Sequence, residues 1–152
     1  MATQTSAGTT IGISATLPTT FDTAPITGYP SLTLTSIGEV TDIPAVGGAR
    51  SVITHSPLAE IDVDKFLGSF DHGSVSLTMA LDDADAGQVI LNAAVTSGAK
   101  HAIGITLPDG TQKFKTGIVS AVTFGVGTVD GTVVQATAQF EFTKSTVTKL
   151  PA

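Results

Sequence analysis

Alternation of apolar and polar side chains fixes two strands of this chain. In residues 73–81 (GSVSLTMAL), Val75, Leu77, Met79 and Leu81 fall on one face, and Ser74, Ser76, Thr78 and Ala80 on the other. In residues 132–143, Val134, Ala136, Ala138, Phe140 and Phe142 point one way, and Gln135, Thr137, Gln139 and Glu141 the other. A period of two marks a sheet with one buried face and one wetted face. Threonine fills 25 of the 152 positions and tryptophan none, a balance that suits β structure better than a helical bundle. The chain is read as mainly β: a two-sheet sandwich or barrel-like domain around one core.

The other segments fill in this plan. Residues 32–43 read as a strand bent near Gly38, and residues 49–54 as a short strand after Gly47-Gly48. Residues 55–71 read as a loop, whose unusual length favours a binding role over a passive link. Residues 101–107 and 111–124 form a hairpin about Pro108-Asp109-Gly110. On its second strand Phe114, Ile118, Val122 and Phe124 are assigned to one face, and Lys113, Lys115, Gly117 and Val119 to the other. One helix is expected at residues 83–96, capped by Asp82 or Asp83 and stopped by Ser97-Gly98. Its apolar stripe, Ala86, Val89, Ile90 and Ala93, is expected to pack on a sheet. Residues 125–131 read as a turn. Residues 1–30, broken by Pro18, Pro25 and Pro30, read as an extended arm with one short strand at Ile11, Ile13 and Leu17. Residues 31–143 are then the domain, and residues 144–152 a tail.

Charged residues are 13% of the chain, about half the usual share. Either small polar side chains solvate the surface or other subunits cover it. The net charge of −6 argues against affinity for nucleic-acid phosphates. Acids concentrate in residues 39–85 and lysines in residues 100–152, so identical subunits have complementary halves to offer one another.

No catalytic constellation emerges. Cysteine is absent, which excludes disulfides and thiolate chemistry. His55, His72 and His101 match no local ligand spacing; His55 and His72 flank one loop, but nothing supplies a third ligand. Ser56 and Ser97 lack a nucleophile elbow. Asp82, Asp83 and Asp85 lack the remainder of a calcium loop and suit helix capping instead. No enzyme activity, cofactor or metal is expected, nor a signal peptide or membrane-spanning helix.

The order of features over residues 32–143 is more specific than any one of them. Ile37-Gly38-Glu39-Val40-Thr41-Asp42-Ile43 is followed by Arg50-Ser51-Val52-Ile53-Thr54. Then come Gly73-Ser74-Val75-Ser76-Leu77, a helix opened by Asp82-Asp83-x-Asp85, Leu107-Pro108-Asp109-Gly110-Thr111 and Phe114-x-x-Gly117-x-Val119-Ser120. This order resembles the major tail tube proteins of long-tailed, non-contractile (siphovirus-like) bacteriophages.

The resemblance implies a two-sheet fold with a flanking helix, hexameric rings, and stacking into a hollow tube that conducts double-stranded DNA. It implies contacts with tape measure, tail terminator and distal tail proteins, a place in the virion tail, and assembly in the host cytoplasm. On this reading Leu58, Glu60, Ile61, Asp62, Val63, Asp64, Phe66, Leu67 and Phe70 form a ring-stacking loop, aided by residues 1–20 and 144–152. The polar strand faces, with Glu39, Asp42, Ser74, Ser76, Thr78, Gln135, Gln139 and Glu141, are the candidate lumen wall. Lys113 and Lys115 should lie outside it or pair with acids between subunits. The alternatives are a tail terminator, a contractile or secretion-type tube protein, and a carbohydrate-binding β-sandwich. The last would need exposed aromatic side chains, and Tyr29 is the single tyrosine.

Overall fold

The computed structural model describes residues 3–129 and 133–151, so the end of the turn expected at 125–131 and the first residue of the strand expected at 132–143 lie outside the described residues. The fold is mainly β with one flanking helix, as expected, but the two sheets are very unequal. The large sheet is built from β1 (Thr10–Ile13), β2 (Thr35–Ser36), β3 (Val40–Asp42), β6 (Ser74–Ala80), β7 (Lys100–Thr106), β8 (Gln112–Gly125) and β9 (Gln135–Phe142). Its order is β2-β1-β7-β8-β9-β6-β3, with β10 (Val147–Lys149) also paired to β8. The small sheet is an antiparallel ribbon of β4 (Ala49–His55) and β5 (Asp64–Asp71).

The curled sheet holds the main core on one face. Ile11, Ile13, Ile103, Val119, Val75, Leu77, Met79, Ala136, Ala138, Phe140 and Phe142 are buried there, with Ile37 and Leu91. The alternation in β6 and β9 is therefore realised as read. Within residues 1–30 the expected short strand forms at Ile11 and Ile13, without Leu17. β1 lies inside the sheet between β2 and β7, pairing Ile11 with Ile105 and Ile13 with Ile103. Farther on, Tyr29 is fully buried on the opposite face, with Ala102 and Phe114. β1 lies ahead of Pro18, the first proline of the chain, so no proline interrupts it.

A bulge corrects the expected faces of β8. Val119 pairs with Phe140 but Ala121 pairs with Gln139, so Ser120 is the extra residue. A bulge reverses the parity of everything beyond it. Phe114 and Ile118 thus face away from the main core, whereas Val122 and Phe124 pair with Ala138 and Ala136 on the core side.

The helix, α1, spans Ala86–Ser97. Its N-cap is Asp85 rather than Asp82 or Asp83; the Asp85 carboxylate accepts from the N–H groups of Gln88 and Gly38, each at 3.1 Å. Gly98 closes it in the left-handed region at φ 67°. The buried face is Gly87, Gln88, Leu91 and Ala94, not the expected stripe. Ile90 packs partly against the core, but Ala86, Val89 and Ala93 are exposed. The physical reason is the approach distance. A Cβ at Gly87 would lie 2.5 Å from the Ser36 carbonyl oxygen, so glycine lets the helix backbone close on β2. Gln88 can turn inward because its amide is satisfied there. It accepts from Asp82 N–H at 3.1 Å and donates to the Ala80 carbonyl at 2.9 Å.

Candidate functional site

Two surfaces stand out, and the fold separates them. The first is the bare face of the large sheet. Opposite the main core, the β7–β8 part of the sheet is covered by Tyr29, Leu32, Leu34 and Val147. The β6–β9 part is not. Antiparallel register sets Ser74 beside Glu141, Ser76 beside Gln139, Thr78 beside Thr137 and Ala80 beside Gln135. Asp42 joins through its pairing with Thr78. Of the residues proposed as a lumen wall, Asp42, Ser74, Ser76, Thr78, Gln135, Gln139 and Glu141 therefore share one face. Glu39 precedes β3 with φ 61°, which breaks the strand alternation there, although its carbonyl still accepts from the Ala80 N–H of β6 at 2.8 Å. Within β3, β6, β9 and residues 117–125 of β8, Asp42 and Glu141 are the only charged residues. Gln139 donates to the Glu141 carboxylate at 3.2 Å, leaving a hydrated, mildly acidic wall.

The second surface is the β4–β5 ribbon. The expected loop 55–71 is correct only for residues 56–63; residues 64–71 are a strand. Register pairs His55 with Asp64, Ile53 with Phe66, Val52 with Leu67 and Arg50 with Phe70. Adjacent Phe66 and Leu67 put apolar side chains on both faces of β5, which hides its period of two. Almost every residue of the ribbon is exposed, including Val52, Ile53, Phe66, Leu67 and Phe70. At the tip Leu58 and Ile61 are fully exposed, beside Glu60, Asp62 and Val63. No side chain of the ribbon belongs to either core cluster. A lone two-stranded ribbon is marginal in water. His55 and His72 lie at opposite ends of it, roughly 20 Å apart along a strand, and do not meet.

Lys113 is exposed and donates to the Thr148 hydroxyl at 3.1 Å. Lys115 also lies off the candidate lumen face, but it is buried. It pairs with Ile103 on the core side of the sheet and is 5% exposed. Burial pushes its pKa down. Strand parity had placed it beside Val119, but only the curl of the sheet turns that position into an interior one. No group of three histidine or acidic side chains able to hold a metal occurs among the described residues.

A curled sheet with a flanking helix over the whole chain is the fold of components of tubular injection machines. A structure from the baseplate of the anti-feeding prophage matches with a TM-score of 0.67 at 12% identity, covering 99% of this chain and 98% of that one. A structure of the sheath/tube terminator of the PVC extracellular contractile injection system matches at 0.66 with 8% identity, covering 98% of both chains. The SPP1 tail tube matches at 0.58 with 12% identity, covering 93% of this chain and 78% of that one. No protein with a curated description matches the sequence. The family model for phage tail tube proteins matches residues 1–148, and the chain belongs to the phage tail tube protein family. It is a structural component of a phage tail tube.

Proposed function

We propose that six copies form a ring, that rings stack through the β4–β5 ribbon, and that the bare sheet face lines a channel for double-stranded DNA. The carrying observation is that face itself: a broad polar wall, uncovered by its own chain, with acids and no base on its strands. A basic wall would bind phosphates and hold the genome through counterion release; an acidic or neutral one lets it slide. Six per ring is supported by the sixfold-symmetrised baseplate structure that shares the fold. The large sheet ends on the short strands β2 and β3, whose open edges suit pairing with neighbours around a ring. The role is structural, without catalysis, in a virion tail assembled in the host cytoplasm. Tape measure, terminator and distal tail proteins would meet the tube at its axis and ends. A contractile-type tube is the second reading, favoured by the PVC and anti-feeding prophage matches.

The test is a side-chain-resolution reconstruction of assembled tubes. Sixfold rings with Ser76, Gln139 and Glu141 facing the channel are expected. A channel lined by Lys113, Lys144 and Lys149, or tight low-salt binding of DNA by tubes, would overturn the conduit reading. A sheath around the tube in intact particles would select the contractile alternative.

A further inference from the structure

The core side of the curled sheet does not close over itself. At its open end is a cavity of about 60 Å³ lined by apolar residues that include Ile43, Val46, Ile105 and Phe142, together with Lys113 and Lys115. That volume admits a single aliphatic side chain. Lys115 is the anomaly in this setting. Its Nζ donates to the Lys144 carbonyl at 3.2 Å and lies 5.0 Å from the centre of the Phe142 ring. Neither neighbour is an acid. A cation sealed among apolar groups is costly until a counter-charge reaches it.

The complementary surface is elsewhere on the same chain. Residues 57–64 (PLAEIDVD) carry three acids and no base, with Leu58 and Ile61 wholly in solvent. The ribbon starts beside the cavity, since Val46 lines it and β4 begins at Ala49. Seven extended residues then carry the tip roughly 20 Å away. The tip is thus remote from the cavity beside which its own ribbon begins.

We propose that the ribbon tip of one copy enters the open end of the curled sheet of a second copy. There it buries Ile61 against Val46 and Phe142 and sets the neighbouring Glu60 or Asp62 against Lys115. Donor and acceptor are different surfaces of one chain, so the contact is head-to-tail and propagates instead of closing as a pair. The docking rests on the stacking role of the ribbon and specifies where the tip goes.

The chain has no cysteine, which makes site-directed cross-linking clean. Tubes of the Val46→Cys/Ile61→Cys double variant, when oxidised, should give a ladder of linked copies on a non-reducing gel, and each single variant should not. Intact tubes without a ladder overturn the docking. Lys115→Met, which replaces the buried charge with an apolar chain of similar length, guards against a double variant that fails to assemble. It should fold with an unchanged or raised thermal midpoint, yet need at least tenfold more protein to elongate. An unchanged threshold for elongation overturns the docking as well. Shortening the tip separates the two levels. Loss of tubes on truncation without cross-linking in the full chain rejects the cavity and keeps the stacking role. Normal tubes from truncated subunits reject both.

Discussion

The hydroxyl of Tyr29 lies 2.7 Å from that of Thr116, joining positions 87 residues apart in the chain. The Tyr29 ring stacks on Phe114 at 5.2 Å, and Phe21 meets its edge at 6.0 Å. One buried aromatic therefore fixes the segment that leads from β1 to β2 across the outer face of β8. Its removal should loosen that whole segment.

Tyr29→Phe should destabilise the subunit by about 1–3 kcal/mol, because the buried Thr116 hydroxyl loses its partner. Denaturant unfolding measures this. Burial, opposed by the Thr116 bond, raises the Tyr29 pKa above its usual value. The unfolded chain then ionises first. Stability held at neutral pH should decline as pH rises past about 10, the unfolded tyrosine value. As the single tyrosine, Tyr29 can be titrated directly by absorbance, and its midpoint should lie above that of free tyrosine.

Gly87→Ala should weaken the subunit although alanine is the better helix former by about 1 kcal/mol. The added Cβ would meet the Ser36 carbonyl oxygen at 2.5 Å and Ile37 Cα at 2.7 Å. A net loss of about 1–3 kcal/mol is expected from overpacking. Leu91→Ala should lose about 2–5 kcal/mol, whereas Val89→Asp, on the exposed side, should leave the monomer's melting curve nearly unchanged.

Replacing residues 57–62 by Asn-Gly should leave a folded subunit, since that tip contributes nothing to either core cluster. Circular dichroism should match the parent above its ribbon contribution, while negative-stain images show no elongated tubes. Long tubes from this variant would remove the ribbon from the stacking contact.

Asp109 in the β7–β8 turn accepts from the Thr111 N–H at 2.9 Å. That bond, ahead of smaller contributions, holds its carboxyl below the usual aspartate range. The stabilisation is present above the unfolded value of about 3.9 and is lost as pH falls through the folded value. Asp109→Ala should therefore be less stable than the parent at neutral pH, and the difference should vanish in acid. Parallel acid-unfolding curves at all pH values would contradict this.

What could be read from the sequence follows from how strictly each side of an element is buried. β6 and β9 separate Val75, Leu77, Met79, Ala138 and Phe140 from serines and glutamines, so their register and shared polar face were legible. β5 exposes both faces, and no burial enforces alternation on it. α1 faces the core with Gly87 and Gln88, whose reasons for being there are a backbone contact and a satisfied amide; the periodic stripe of Ala86, Val89 and Ala93 pointed to the wrong side. The reversal at Ser120 and the interior position of Lys115 arise from a bulge and a curl, which no pattern of residue types encodes. Asp85 and Gln88, three apart before an apolar run, were the one available sign of the true helix start.

The placement of β1 has a consequence for synthesis. Its partner on one side, β2, leaves the ribosome soon after it, but on the other side Ile11 must wait for Ile105. β6 likewise waits for β9, at residues 135–142. Pairings this distant in sequence form slowly and late. The large sheet is therefore incomplete until nearly all of the chain has been translated, although the local β4–β5 ribbon is complete by Asp71. On the proposed assembly, a fragment released early carries the ribbon but no completed large sheet to receive a neighbour's.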